Sequence, residues 1–379
     1  MTRTKRLAGL AALTAALGMA PAQAQTEVVL HNFRPMTGSG PYGGLIRDSA
    51  GNLYGTARNG LGSHHAGVVF KLGAGGHYAV LHDFSGGADG GQPFGGVIRD
   101  SAANLYGTTL VGGAANAGVV FKIDASGQET VLYSFTGGAD GGRPTDSVVF
   151  DPAGNLYGTT GIGGTASQGV VFKLDTAGKE TVLHTFTGGA DGGQPYAGVI
   201  LDPVGNLYGT ATAGGAGYGV VYKLDPAGNE TVLHTFTGGD DGNEPYGGVI
   251  RDSAGNLYGT TLLGGAANCG VVFRLSKAGR EKVLYSFTNE ADGRNPASGV
   301  IRDSAGNLYG TVGSGGPADA GVVYELDAAG GFTTLYSFSG ARDGGAPQAS
   351  LLRNSKGYLY GTAVEGGKGE GGTLFEIKP

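Results

Sequence analysis

The chain has 379 residues, with 25 Lys+Arg against 31 Asp+Glu, a formal charge of -6, 79 glycines and a single cysteine, Cys269. The acidic balance argues against nucleic acid or an anionic membrane surface as a partner, and one cysteine excludes an internal disulfide framework. Glycine runs at about three times average usage without a collagen triplet, so the glycines are expected to serve turns.

The first 24 residues read as a secretory signal peptide: Arg3, Lys5 and Arg6, an apolar run from Leu7 to Met19, and the small-residue site Ala22-Gln23-Ala24. The apolar run is shorter than the roughly 20 residues a spanning helix needs. Cleavage near Ala24 would leave 22 Lys+Arg against 31 Asp+Glu, a charge of -9, and a secreted or periplasmic product. No later stretch is apolar enough to span a bilayer, and the sequence stops at Glu376-Ile377-Lys378-Pro379 without a hydrophobic tail.

From residue 25 to 379 we expect one repeat-built domain. The motif Asn-Leu-Tyr-Gly-Thr returns with its tyrosine at Tyr54, Tyr106, Tyr157, Tyr208, Tyr258, Tyr309 and Tyr360, the last copy reading Tyr-Leu-Tyr-Gly-Thr, in steps of 52, 51, 51, 50, 51 and 51 residues. A fixed period means one supersecondary unit stacked on itself. Within Val97 to Phe135 the unit reads as four strands. Val97-Ile98-Arg99-Asp100 turns through Ser101-Ala102-Ala103 into Asn104-Leu105-Tyr106-Gly107-Thr108, and sister turns such as Ser253 to Asn256 carry glycine for a tight hairpin. A glycine-rich loop leads to Gly118-Val119-Val120-Phe121-Lys122-Ile123, and Asp124 to Gly127 turns into Thr130-Val131-Leu132-Tyr133-Ser134-Phe135. With no helical period anywhere, this is one blade of an all-β propeller. Leu105 and the repeated tyrosine fall on opposite faces of their strand, which suits a blade buried between two neighbours.

The phenylalanine that ends the fourth strand occurs seven times, from Phe33 to Phe338. Val28 to Phe33 precedes any first strand, while Leu351 to Ile377 supplies three strands with no fourth after them. Pairing the two orphans predicts a closed seven-bladed propeller and removes the exposed edge they would otherwise leave.

The run Asp-x-x-Gly-Asn-Leu-Tyr-Gly-Thr, a Gly-Gly loop, Gly-Val-Val-Phe-Lys-Leu-Asp and Thr-Val-Leu-x-x-Phe resembles the GloVer-type tandem repeat of exported bacterial choice-of-anchor proteins, over about residues 27 to 379. The resemblance implies export, and it assigns no activity. The strand order is also similar to kelch blades, without their late tryptophan.

Connections from fourth to first strand and from second to third should emerge on one face, around the channel mouth, where loops on a rigid scaffold carry binding. Six of the seven fourth-to-first loops carry an aspartate: Asp89, Asp140, Asp191, Asp241, Asp292 and Asp343. Nearby stand Tyr42, Phe94, Tyr196 and Tyr246. One reading is a carboxylate ring that binds a cation or a polyhydroxylated ligand with help from these aromatics. The other, preferred because it needs only local geometry, is an Asx-turn in which each aspartate accepts hydrogen bonds from the glycine amides that follow and Asn would serve as well.

A shared central Ca²⁺ would need two aspartates within about 5 Å of each other, so no metal and no other cofactor is expected. Ser63-His64-His65 reads as an exposed polar pair of histidines and Cys269 as a small buried residue in the place of Ala117. His31, His82, His184 and His234 stand where sister strands have Tyr133, Tyr285 and Tyr336, which suits an aromatic with a polar tip.

No catalytic residue is assigned, because every candidate group is copied around the ring and catalysis needs distinct roles. The favoured function is an exported, monomeric, non-enzymatic scaffold for an envelope glycan or a protein. A lyase or hydrolase with a metal at the channel mouth and a purely structural surface protein are the alternatives.

Overall fold

The computed structural model describes residues 26–60 and 65–378. The expected leader and its cleavage site lie outside these residues, as do Ser63 and His64 of the histidine loop. The fold is a seven-bladed β-propeller of four-stranded antiparallel sheets. Among the described residues no helix is long and apolar enough to cross a membrane.

The blade that begins at Ile98 shows how the repeat folds. Ile98–Arg99, Leu105–Thr109, Val119–Ile123 and Glu129–Ser134 pair in chain order. Asp100 secures the first hairpin, because its carboxylate accepts the Asn104 backbone N–H at 2.8 Å, the Asn104 side-chain amide at 2.7 Å and the Tyr106 hydroxyl at 3.0 Å. Thus the Asp, Asn and Tyr of the repeat are one hydrogen-bonded unit. In the fourth strand the register slips between the pairs Val120–Tyr133 and Phe121–Val131, leaving Leu132 as a bulge. A bulge re-aims the side chains beyond it, and here it delivers Tyr133 and Phe135 to the seam with the next blade.

Seams hold the ring together. Phe84, Phe135, Phe186 and Phe236 are fully or almost fully buried, and each packs edge-on against the third-strand aromatic of the following blade, with ring centroids 5.1–5.3 Å apart. Such edge-to-face contacts add about 0.5–1.5 kcal/mol each beyond area burial. The repeated threonine adds a polar latch: Thr108 donates to the Asp146 carbonyl of the next blade at 2.8 Å, and Thr159 to the Ala197 carbonyl at 2.9 Å. The motif tyrosines lie at the same seams, with Tyr54, Tyr258, Tyr309 and Tyr360 buried, and Arg99, Arg251, Arg302 and Arg353 of following blades lie over the rings of Tyr54, Tyr208, Tyr258 and Tyr309 in turn.

The ring closes as the orphan strands predict. Thr26–Asn32 pairs antiparallel with Thr373–Lys378, completing the sheet that holds Leu352–Arg353 and Leu359–Ala363. Cys269 is buried, with its thiol against the Ala267 carbonyl, and His65 is exposed.

Candidate functional site at the channel mouth

The fourth-to-first and second-to-third loops do share one face. Gly91 bridges to Val111, and the same bridge recurs between these loops in the other blades. Each fourth-to-first loop is fixed by a residue in the left-handed region directly before a proline, such as Gln92 at φ 55°, Arg143 at 53° and Gln194 at 55°. A pre-proline residue ordinarily avoids compact conformations, so a tether must hold it. The Arg143 N–H donates to the Ala117 carbonyl at 2.7 Å and the Gln194 N–H to the Gln168 carbonyl at 2.7 Å. The proline then packs against a glycine of that loop: a Cβ on Gly118, itself at φ +94°, would lie 2.8 Å from Pro144 Cδ and collide with the Thr109 carbonyl.

These loops separate the two halves of the expected ligand set. The aspartates belong to the seams, where they tie each loop to its own fourth strand. Asp140 accepts the Thr136 N–H at 2.8 Å, the Thr136 hydroxyl, and the Tyr133 hydroxyl at 3.0 Å. Asp292 and Asp343 repeat the pattern with Tyr285 and Tyr336, each at 3.0 Å. Where the strand carries histidine, Nε2 stands farther off, at 3.6 Å from Asp89, 3.5 Å from Asp191 and 3.4 Å from Asp241. The expected Asx-turn on following glycine amides is therefore corrected: the donors lie before the aspartate in sequence, because the loop folds back over the end of the strand it leaves.

A second carboxylate faces five of these aspartates across the seam. Glu27, Glu129, Glu180, Glu230 and Glu281 each hold a buried Oε1 without a hydrogen-bond partner among the described residues. Burial first, and then repulsion from Asp343, Asp89, Asp140, Asp191 and Asp241 respectively, pushes each glutamate up to about 7. The histidines move the other way. Burial lowers His82, His184 and His234 against the pull of their aspartates, and lowers His31 to about 4. Among the described residues no group of three or more His, Cys, Asp or Glu is disposed to hold a metal ion.

Tyr42, Phe94, Tyr196 and Tyr246 follow the loop prolines and come together at the channel mouth, with Thr145 at the equivalent position between Phe94 and Tyr196. They form two stacks, Tyr42 on Phe94 at 4.7 Å and 18°, and Tyr196 on Tyr246 at 5.2 Å and 28°. Arg58 lies over the first stack, 5.8 Å from the Tyr42 centroid and 6.0 Å from that of Phe94. Burial raises the Tyr246 hydroxyl pKa, reinforced by Tyr196 and Tyr42 and opposed by Arg58.

At the throat sits Asp146, where sister blades have Gly43, Gly95, Ala197, Gly247, Ser298 and Ala349. It lines both the mouth and the channel below, and among the described residues no other charged side chain lines either. Its carboxylate accepts the Gly198 N–H of the next blade and the Ser147 N–H, both at 2.7 Å. The mouth depression has about 80 Å³ of room, the space of roughly two or three waters, so a ligand would lie across it.

Sequence reasoning named the four aromatics and missed Asp146, Arg58 and Gln348. Asp146 was detectable as the one charged residue at a position otherwise occupied by small side chains.

The family model for the Gloeobacter/Verrucomicrobia repeat matches residues 14–217 and again residues 198–379. Comparison with curated proteins gives no match. Among solved structures the fold is similar to that of virginiamycin B lyase from Staphylococcus aureus, at 12% identity and a TM-score of 0.59, covering 94% of this chain and 99% of that one. A protein from Bacteroides uniformis provisionally named a 6-phosphogluconolactonase aligns at 18% identity and 0.53, over 82% and 88% of the two chains. The extracellular domain of a provisionally named one-component system from B. thetaiotaomicron aligns at 15% and 0.53, over 93% of this chain and 41% of that one. At these identities the likeness concerns the fold alone.

Proposed function

The chain belongs to the Gloeobacter/Verrucomicrobia repeat family, and on that footing we propose that it is a non-enzymatic binding scaffold whose channel mouth receives a polyhydroxylated ligand, with a glycan outside the cytoplasm as the class that fits. The observation that carries this reading is the pair of aromatic stacks beside a single throat carboxylate. Aromatic faces carry negative quadrupole density that attracts the C–H face of a sugar ring, and Asp146 supplies an acceptor for hydroxyl donors.

Catalysis by paired acid and base would call for a second titrating partner beside the carboxylate. Among the described residues the mouth lining offers no second carboxylate, histidine, lysine or cysteine, and its tyrosines, Tyr42, Tyr196 and Tyr246, are held in the aromatic stacks. Export is supported by the leader composition of residues 1–24, and a monomer by ring closure, which covers the edge of the last third strand that would otherwise stand open to another copy. The test is a glycan array probed with the purified protein, followed by calorimetric titration of the hits. Retained hits that Tyr196→Ala weakens support the reading, and an array without a hit overturns it.

A further inference from the structure

Beside Ala297 the ring of residues after the loop prolines opens into a pocket. Between Tyr246 and Gln348 the post-proline residue is Ala297, and a pocket of about 230 Å³ lies there, with Ala297 and Gly313 among its lining and polar edges from Asn295 and Ser314. Elsewhere a larger side chain reaches over the neighbouring blade: Phe94 lies beside Arg58, and the Tyr196 ring comes within 3.0 Å of where a Cβ on Gly161 would be. Ala297 has nothing to extend, and Gly313 opposite it has no side chain.

The lining is chemically specific. Tyr246 stacks on Tyr196 and also lines the slot. The Gln348 amide makes no hydrogen bond to another described residue, and Asn295 spends its Nδ2 on the Leu262 carbonyl at 3.0 Å, leaving Oδ1 to accept. Among the described residues no charged side chain lines the slot, so an ionised ligand would lose hydration without compensation. At roughly 30 Å³ per water, the volume corresponds to about eight waters, the scale of one monosaccharide ring.

We propose that this slot is a subsite for a single neutral hexose ring, its C–H face on Tyr246 and its hydroxyl edge on Gln348, Asn295 and Ser314. The inference rests on the glycan-binding reading of the mouth and adds the position and charge class of one residue of that glycan.

Titration of neutral hexoses, neutral oligosaccharides and uronic acids against the wild type, Ala297→Phe, Ala297→Leu and Gln348→Ala tests it, with thermal melts confirming that each variant is folded. Filling the slot with Phe or Leu should weaken neutral-sugar binding at least tenfold, and Gln348→Ala should erode discrimination between hexose epimers. Uronic acids should bind more weakly than their neutral counterparts. A free hexose that binds and is displaced by Ala297→Phe, or an oligosaccharide alone that behaves so, both support the subsite and tell its occupants apart. Unchanged affinity in folded Ala297→Phe and Ala297→Leu, with binding still lost in Phe94→Ala, overturns the slot and leaves the mouth reading standing. A wild type that binds no saccharide at all overturns both.

Discussion

Tyr133 donates its hydroxyl to Asp140, seven residues further on, at 3.0 Å. Both oxygens of Asp140 also accept hydrogen bonds from Thr136, the N–H on one and the hydroxyl on the other, so the carboxylate answers three donors. An asparagine would turn its NH₂ toward one of them. Asp140→Asn should therefore cost about 1–3 kcal/mol, the penalty for leaving a donor unmatched, and thermal or urea melts measure it. A neutral Asn would restore the simple Asx-turn, in which the two residues interchange.

Phe33 closes the ring. It is fully buried, its N–H donates to the Gly372 carbonyl at 2.9 Å, and its ring meets Phe70 at 5.2 Å. Removing residues 26 to 33 should open an unpaired strand edge, with a large fall in melting temperature and concentration-dependent association in sedimentation. An intact melting temperature in a monodisperse truncation would show that the other six blades hold without the closing strand.

Stability should vary with pH in a way set by the seams. The five seam glutamates are raised to about 7 in the folded state against an ordinary value near 4.5, so the folded protein holds more protons than the unfolded chain between those values. Stability then falls as pH rises through 7. The four lowered histidines act in the opposite sense below about 6.5, where the unfolded chain protonates first. The melting temperature should rise from pH 8 to about 6.5 and flatten below that. Glu129→Gln with Glu180→Gln should reduce the slope above pH 6.5. An equal slope in that double variant would move the titration elsewhere.

Much of this architecture was legible because period, strand pattern and orphan strands report the same closed ring. Each is a one-dimensional trace of packing that recurs every blade, as the Leu105 and Tyr106 pair illustrates. The loop chemistry was less legible. Asp140 and Thr136 are four residues apart in sequence, but which of its neighbours an aspartate chooses depends on how the loop folds back. The seam pairs of Glu129 with Asp89 were invisible for a different reason: they join residues 40 apart in number across two blades, with no change in local pattern to announce them. Asp146 broke the repeat openly, and its significance required knowing that its position lines the throat.

Tyr222 occupies a third-strand position where Phe121, Phe172 and Phe273 stand in sister blades. It is fully buried and its hydroxyl has no partner among the described residues. Replacement by phenylalanine removes an unsatisfied polar group without changing the ring's shape, so Tyr222→Phe should raise stability by about 1 kcal/mol. A loss of similar size in chemical denaturation would indicate that the hydroxyl is satisfied.

The central claim is that ligand recognition belongs to the aromatic mouth and not to the ring of loop aspartates. Calorimetric titration of one array-selected glycan against the wild type, the mouth variant Phe94→Ala/Tyr196→Ala and the seam variant Asp191→Ala, all at a temperature where each is folded, measures it directly. Aromatic contacts of this kind contribute enough that losing two should weaken binding by at least tenfold, about 1.4 kcal/mol, while Asp191→Ala should bind as the wild type does. Affinity lost in Asp191→Ala and kept in the mouth variant would contradict the account.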